Sequence, residues 1–261
     1  MTPLYLPLGG DRYRATELTE GPWYPGAQHG GPPAALLMRA VEGIEAPEPM
    51  QVARFTMEIH RPIPVADLEV ATQIVRPGRR VQLVAVSLTH DGDVVATASA
   101  WRLALLPGTS PPSTPLASDV RPPDESAPFA HGMPGWFGEG YHTRAVHKET
   151  RAGSFGEPGP AVAWMRLDVP VVGDEPPTPV QRVAAVADFA NGLSAYLDPG
   201  RHLFINTDLT ISFGRAPVGV WTLLDTASLV GTDGMGHSTS RLADTAGVFG
   251  HSLQSLLVAP R

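Results

Sequence analysis

The 261-residue chain has no cysteine, which excludes disulfide bonds, thiolate metal sites and cysteine nucleophiles. Positive charge is also in short supply. The 19 Lys and Arg stand against 26 Asp and Glu, for a formal net charge of −7. Nucleic-acid binding needs a surplus of basic side chains on one face, so the composition argues against nucleic acid as a partner.

Long apolar runs are missing as well. No stretch approaches the roughly 18 apolar residues that read as a membrane-spanning helix, so no membrane partner is expected. The first residues, MTPLYLPLGGDRYR, lack the basic start and apolar core of a secretory signal. With no export signal, the cytoplasm is the expected location.

Proline is abundant, with 28 residues, and it clusters between Pro107 and Pro134. Because proline lacks a backbone N–H and has a fixed φ, this stretch cannot form a helix interior or a central strand. It predicts an extended connector over 107–160. The connector divides the chain into a first unit, 1–106, and a second unit, 161–261.

The first unit combines one helix with several strands. Gly30-Gly31-Pro32-Pro33 precedes a run of good helix formers, and proline in a first turn is typical of a helix start, so a helix is expected over 28–43. Asp91-Gly92 between two apolar runs predicts a hairpin, since glycine accepts positive φ. Strands are expected at 51–60, 68–75, 81–88 and 94–106.

The second unit repeats this order of elements. Apolar residues recur at helical spacing over 182–197, which predicts one helix. Strand-like runs follow, and Asp244-Thr245-Ala246-Gly247 falls where the earlier hairpin signal stood. The expected strands are 203–213, 221–229, 236–243 and 248–259.

A shift of 154 positions superimposes the two units and exposes a contrast between them. Three polar residues of the second unit fall on apolar residues of the first: Asp188 on Ala34, Asn206 on Val52 and Gln254 on Ala100. A carboxylate in an otherwise apolar helix is costly unless it is solvated or hydrogen-bonded. Asp188 is therefore a candidate general base.

Each of these residues also has an ordinary structural interpretation. Asp188 would lie on the polar side of an amphipathic helix, since Asn191 and Ser194 follow at three-residue steps. Gln254 would be an exposed edge residue. Asn206 would satisfy a backbone group near a bulge.

The second unit, with ADFANG, FINTDLTISFGRAPVG and LADTAGVFGHSLQSLLV, resembles the acyl-CoA thioesterases of the TesB type. In the first unit, QHGGPPAALLMRA and FTMEIHRPIP resemble the family's entry to the first helix and its first long strand. The resemblance implies an α+β double hotdog fold. In this fold, two antiparallel sheets, each curled around a central helix, join into one continuous sheet.

The resemblance also implies the chemistry. The family hydrolyses the thioester of acyl-CoA, and its catalytic Asp, hydroxyl residue and Gln correspond to Asp188, Asn206 and Gln254. Asn206 departs from the hydroxyl that is usual there, although an amide can still donate to and accept from water. Asp188 would act as general base on a water held by the other two. The implied substrate is a fatty acyl-CoA, and a homo-oligomer is expected.

Four further residues are assigned to substrate binding. Gly30 and Gly31 would supply backbone donors to the oxyanion and let the thioester approach closely. His29 would line the entrance through which the thioester reaches Gly30 and Gly31, although a loop histidine is more often a surface residue. Gly192 would leave room for the pantetheine arm, or would only ease helix packing.

Other functions fit the sequence less well. A serine hydrolase is disfavoured because no histidine follows Ser252 and Gln254 replaces the last glycine of a nucleophile elbow. The nine histidines show no metal-ligand spacing, and no metal or cofactor is expected. Two alternatives stay open: a hotdog hydratase or dehydratase, although the second helix has no histidine, and a silent acyl-CoA binder, which the Asn206 departure favours.

Overall fold

The computed structural model describes residues 1–109, 120–124 and 140–261. The helices within these ranges are all too short or too polar to span a membrane.

The first unit forms six strands and one long helix, α1. Its sequence-predicted helix and four strands are confirmed with small changes of boundary, while the first two strands, which are short, were not predicted. Asp91 and Gly92 have φ of 49° and 85°, as the predicted hairpin requires. The elements are β1 Tyr5–Gly9, β2 Arg12–Ala15, α1 Gly31–Glu42, β3 Met50–Ile59, β4 Asp67–Arg76, β5 Val81–His90 and β6 Asp93–Ala104.

The second unit repeats this order but starts earlier than expected. A helical turn and a strand lie inside the stretch predicted to be an extended connector, and the helix and strand predicted at 182–197 and 203–213 are each broken in two. The elements are α2 Tyr141–Arg144, β7 Val146–Ala152, β8 Ala161–Leu167, α3 Pro179–Ala187, α4 Ala190–Leu193, β9 His202–Asn206, β10 Asp208–Phe213, β11 Thr222–Val230, β12 Met235–Asp244 and β13 Gly247–Pro260.

The predicted connector is therefore wrong for its last part. Residues of β7 pair with β8 from Val146–Leu167 to Ala152–Val162, because 140–152 contains no proline and can complete a ladder. The earlier part, 110–119 and 125–139, lies outside the described residues. The domain boundaries 1–106, 107–160 and 161–261 stay a prediction.

Thirteen strands of the described chain form one antiparallel sheet. Its order is β1-β2-β4-β5-β6-β3-β10-β13-β12-β11-β8-β7, with β9 paired to β13. The two units meet where β3 pairs with β10. Joining them edge to edge removes two exposed edges, as the predicted double hotdog arrangement requires.

The join between the units confirms the 154-residue repeat. Thr56 and Thr210 are direct partners in the β3–β10 ladder, their hydroxyls are 3.1 Å apart, and their separation in sequence is 154. The strands β5 and β12 start at Val81 and Met235, again 154 apart. A pseudo-two-fold axis therefore passes between Thr56 and Thr210.

The helices lie against the sheet and against each other. Helix α1 packs on β3, β4 and β5, while α3 packs on α1 and β8. Thr178 accepts a hydrogen bond from the Gln181 N–H at 3.2 Å and starts α3, with proline in the first turn. Leu36, Leu37 and Met38 are buried in the core that results.

Close backbone packing at Gly250 predicts a strong effect of substitution. A Cβ on Gly250 would lie 2.1 Å from the backbone oxygen of Ser212 on β10. We expect Gly250→Ala to lower the free energy of unfolding by about 1–3 kcal/mol, because the backbones must move apart. Chemical denaturation measures the change. Gly43→Ala is the control, since its nearest neighbour is 3.5 Å away, and an equal loss in both variants would contradict the explanation.

Candidate active site

The side-chain amide of Gln254 interrupts the helix that was predicted over 182–197. Gln254 Oε1 accepts a hydrogen bond from the Asn191 N–H at 3.2 Å, and its Nε2 donates to the Asp188 carbonyl at 3.3 Å. In an unbroken helix these two groups would bond to the backbone four residues away. A side chain inserted into this ladder is a known cause of helix breaks, and it separates α3 from α4.

The break presents the Asp188 carboxylate to three other side chains. Asn206 Nδ2 donates to Asp188 Oδ1 at 2.8 Å, and Gln254 Nε2 donates to the same oxygen at 2.9 Å. His29 Nδ1 lies 3.0 Å from the other carboxylate oxygen, Oδ2. Only 3% of Asp188 is exposed, and these contacts compensate for burying it.

The three residues that sequence comparison selected are therefore brought together. Gln254 is fully buried and β13 has neighbours on both sides, so the edge-residue interpretation is wrong. Asp188 does not lie on an exposed polar face. Asn206 fits both of its interpretations, because Nδ2 also donates to the Asp208 backbone oxygen at 3.1 Å, at the break between β9 and β10.

The start of α1 lies directly against Asp188. A Cβ on Gly30 would lie 2.7 Å from Asp188 Oδ2, and one on Gly31 would lie 2.2 Å from the Ala185 backbone oxygen, so both positions require glycine. The Gly31 N–H donates to His29 Nδ1 at 3.1 Å. His29 is 8% exposed, which rules out the surface-loop interpretation.

Two cavities meet at this cluster. We call the first the aromatic cavity; its volume is about 360 Å³, and its lining includes Trp23, Phe155, Phe189, Gly192 and Phe204. The second, the polar cavity, has a volume of about 280 Å³ and is lined by residues that include Gly30, Arg61, Asp188, Asn206 and Thr207. Trp23, His29 and Asn191 line both. Gly192 thus faces the aromatic cavity, and Gly31 faces neither.

Both parts of the chain match one protein family. Residues 19–103 match the acyl-CoA thioesterase N-terminal domain, and residues 113–258 match the acyl-CoA thioesterase C-terminal domain. The chain belongs to the acyl-CoA thioesterase family. This membership makes it a thioester hydrolase by class. No curated protein matches it significantly.

Solved structures confirm the double hotdog fold. A hot dog fold protein from Alicyclobacillus acidocaldarius has 18% identity and a TM-score of 0.73, with 97% of this chain and 95% of that chain covered. The tesB protein of Mycobacterium avium subs paratuberculosis has 16% identity and a TM-score of 0.67, over 98% and 96% of the two chains. The acyl-CoA thioesterase II TesB2 of Mycobacterium marinum has 17% identity and a TM-score of 0.67, over 98% and 96%.

A patch of buried hydroxyl groups lies beneath α4. Gln254 pairs with Ser238, which pairs with Ser228 on the next strand. Ser194 Oγ, on the segment that follows α4, lies 2.7 Å from Ser228 Oγ and donates to the Ala190 backbone oxygen at 2.9 Å. These bonds hold α4 over β11, two strands away from β13, which carries Gln254. The patch comprises Ser194, Thr226, Ser228, Ser238, Ser240 and Ser252, all at most 8% exposed.

Sequence patterns missed the residues of 140–148 that surround His29. The Tyr141 and His142 rings lie 5.1 and 5.0 Å from the His29 ring. Tyr141 donates to the Ala185 backbone oxygen at 2.8 Å, and burial, with a smaller effect from the Asp188 charge, raises its pKa well above the usual value. Burial lowers the pKa of His142 well below its usual value, so it is neutral at pH 7. Three aromatic or histidine residues in seven were the only sequence signal.

Lys148 is a half-buried cation behind this cluster. Its Nζ donates to the His142 backbone oxygen and lies 5.1 Å from the Phe189 ring centroid. Desolvation lowers the pKa of Lys148 from 10.5 to about 7, because the ammonium has lost most of its water. The charged form is therefore costly in the folded state.

Two arginines, Arg61 before Pro62 and Arg215 before Ala216-Pro217, lie at equivalent places in the two units but have different surroundings. Arg215 binds Asp244 through both terminal nitrogens, at 2.7 and 2.6 Å, and its role is structural. Arg61 lines the polar cavity and is bonded to Asp93 at 2.7 Å. Among the described residues, no group of three or more potential ligands could hold a metal ion.

The lowered pKa of Lys148 predicts a pH-dependent stability difference. Between pH 7 and 10.5 the unfolded chain binds a proton that the folded chain does not, so stability rises with pH in this window. Below pH 7 the full cost remains, at most about 5 kcal/mol at 1.36 kcal/mol per pKa unit. We expect Lys148→Met to be more stable than the parent at pH 6 and to lose this advantage towards pH 10.5. Denaturant titrations at several pH values measure it, and a pH-independent difference would contradict the assignment.

Proposed function

We propose that the protein hydrolyses acyl-CoA to a free acid and CoA, with Asp188 as general base on a water held by Asn206 and Gln254. The sequence resemblance suggests a fatty acyl group. The observation that carries the proposal is the convergence of Asn206 and Gln254 on one oxygen of a buried carboxylate. The carboxylate lies where two cavities meet, so both sides of a thioester can be accommodated.

Asp188 has the contacts that a buried base needs. The two amides fix the direction of its carboxylate, and each amide also carries an oxygen that can accept from water. A water between Asp188 and the thioester carbon would give its proton to the carboxylate as its oxygen attacks. The tetrahedral intermediate then expels the CoA thiolate, and the proton is returned to the leaving group.

The start of α1 supplies donors for the developing oxyanion. Pro32 and Pro33 have no N–H, so the available backbone donors there are those of Gly30 and Gly31. The positive end of the helix dipole adds to their effect. His29 Nδ1 cannot accept from the Gly31 N–H and donate to Asp188 at the same time. Gly31 lines neither cavity and its N–H is bonded to His29 Nδ1, so Gly30, which lines the polar cavity, is the donor closer to the substrate.

The open alternatives predict different products. A hydratase would consume an enoyl-CoA without releasing thiol, and a silent binder would change neither. The absence of histidine from 179–193 disfavours the hydratase, although His29 approaches Asp188 from the other unit. Release of free CoA from a panel of acyl-CoAs supports the thioesterase. The homo-oligomeric state and the cytoplasmic location stay predictions.

Replacing the proposed base gives the first test. We expect Asp188→Asn to lower kcat about 10²–10⁴-fold, the usual contribution of general-base catalysis, while the fold is kept, because an amide oxygen still accepts from Asn206 and Gln254. Thiol release measures kcat and circular dichroism checks folding. Asp225→Asn, an ion-paired residue on β11, is the control. Unchanged turnover in Asp188→Asn would refute the assignment.

The role of Gln254 can be tested in the same assay. Gln254→Ala removes a donor to Asp188 and both bonds that hold the helix break. We expect kcat to fall more than KM rises, because orientation of the water acts in the transition state. Gln82→Ala is the matched control for Gln254→Ala, because Gln82 is also a buried amide and accepts a hydrogen bond from Arg102 in the first unit. An effect on KM alone would count against the proposed role.

A further inference from the structure

We propose that the acyl group hydrolysed here is compact and carries an aromatic ring, and that this ring occupies the aromatic cavity. The inference rests on the proposed function and narrows its substrate class. It replaces the long fatty acyl chain that the family resemblance suggests with an arylacyl group such as phenylacetyl.

The position of the two cavities gives the direction in which the substrate lies. The polar cavity has apolar walls that include Ile59 and Ile63, and it exposes Arg61, Asn206 and Thr207 beside Asp188. This mixed lining suits the methylene and amide groups of the pantetheine arm. The aromatic cavity begins on the other side of Trp23, His29 and Asn191, which line both. A thioester at Asp188 would therefore point its acyl group towards Phe189 and Gly192.

The walls of the aromatic cavity present both edges and faces of rings. Trp23 and Phe204 meet edge-on, with centroids 4.8 Å apart and an angle of 87°. Phe155 and Phe189 are also nearly perpendicular, at 83°. An aromatic guest gains edge-to-face and offset contacts with such walls in addition to its buried area, whereas an alkyl chain gains only the area.

The rings are held in place before any substrate binds. Lys148 Nζ lies 5.1 Å from the Phe189 centroid and 5.9 Å from the Phe155 centroid, and the His142 ring packs against Phe189 at 4.5 Å. A preformed site favours a rigid guest, because a flexible chain loses more conformational freedom on binding.

The size of the aromatic cavity also favours a compact group. Its volume is about 360 Å³, near the lower limit for pockets that bury a drug-sized ligand. A phenylacetyl group suits a pocket of this size better than a palmitoyl chain, which has about twice as many non-hydrogen atoms.

A substrate panel tests the inference. Thiol release would be measured with acetyl-, phenylacetyl-, octanoyl- and palmitoyl-CoA. We expect kcat/KM for phenylacetyl-CoA to exceed that for octanoyl-CoA by about tenfold or more, from several ring contacts, and palmitoyl-CoA to be poorer still. An equal or higher value for either straight chain would overturn the inference while leaving the proposed function intact. Release from none of the four would refute the proposed function and the inference with it.

Gly192→Leu tests whether the aromatic cavity selects the acyl group. A Cβ at Gly192 meets only Phe155, at 3.8 Å, so the backbone accepts a side chain that would enter the cavity. We expect the ratio of kcat/KM for phenylacetyl-CoA to that for acetyl-CoA to fall about tenfold or more. Gly43→Leu is the control, because Gly43 ends α1 away from both cavities, and its ratio stays unchanged.

The ratio of kcat/KM for phenylacetyl-CoA to that for acetyl-CoA distinguishes a cavity filled by the new side chain from a general loss of activity. An unchanged ratio in Gly192→Leu would overturn the assignment of the aromatic cavity to the acyl group, whether or not the absolute rates fall. If this variant does not fold, Gly192→Ala gives a smaller change in the same direction, and an unchanged ratio there has the same meaning.

Discussion

The bonds that Gln254 makes to the helix above it are the interaction on which the site depends. They replace two backbone hydrogen bonds and separate α3 from α4. The same side chain then holds the carboxylate that the break exposes. An amide suits this position because its tip carries both a donor and an acceptor. The buried hydroxyls beneath α4 support this geometry, since Ser194 binds the first carbonyl of α4.

The site also needs both units of the chain. The second unit provides Asp188, Asn206 and Gln254, and the first provides His29 and the glycines at the start of α1. The absence of side chains at Gly30 and Gly31 lets the two helices approach closely. The β3–β10 join fixes this approach, because it makes one sheet of the two units.

Sequence alone predicted the fold and the three side chains that meet at Asp188 better than the surroundings of that carboxylate. Asp188, Asn206 and Gln254 stood out because polarity at positions that are apolar in the other unit is visible without a structure. The helix break was not visible, since the amide that causes it lies 63 residues away from Asn191. The burial of His29 and the cluster of Tyr141 and Lys148 were missed because long-range packing creates them, in segments without periodicity. Both β1 and β2 were hidden because they are short, and β1 also contains proline and glycine.

The pseudo-two-fold axis between Thr56 and Thr210 has a consequence for stoichiometry. Two identical half-length subunits related by such an axis would carry two equivalent centres. In this chain the positions related to the three proposed catalytic residues are the buried Ala34, Val52 and Ala100, which have no acid or base to offer. Each polypeptide would therefore process one substrate molecule at a time. The two halves of one chain can differ in sequence, so the second unit carries the acid and the two amides while the first contributes His29 and Gly30 to the same centre. Two copies of a single short subunit could not differ in this way.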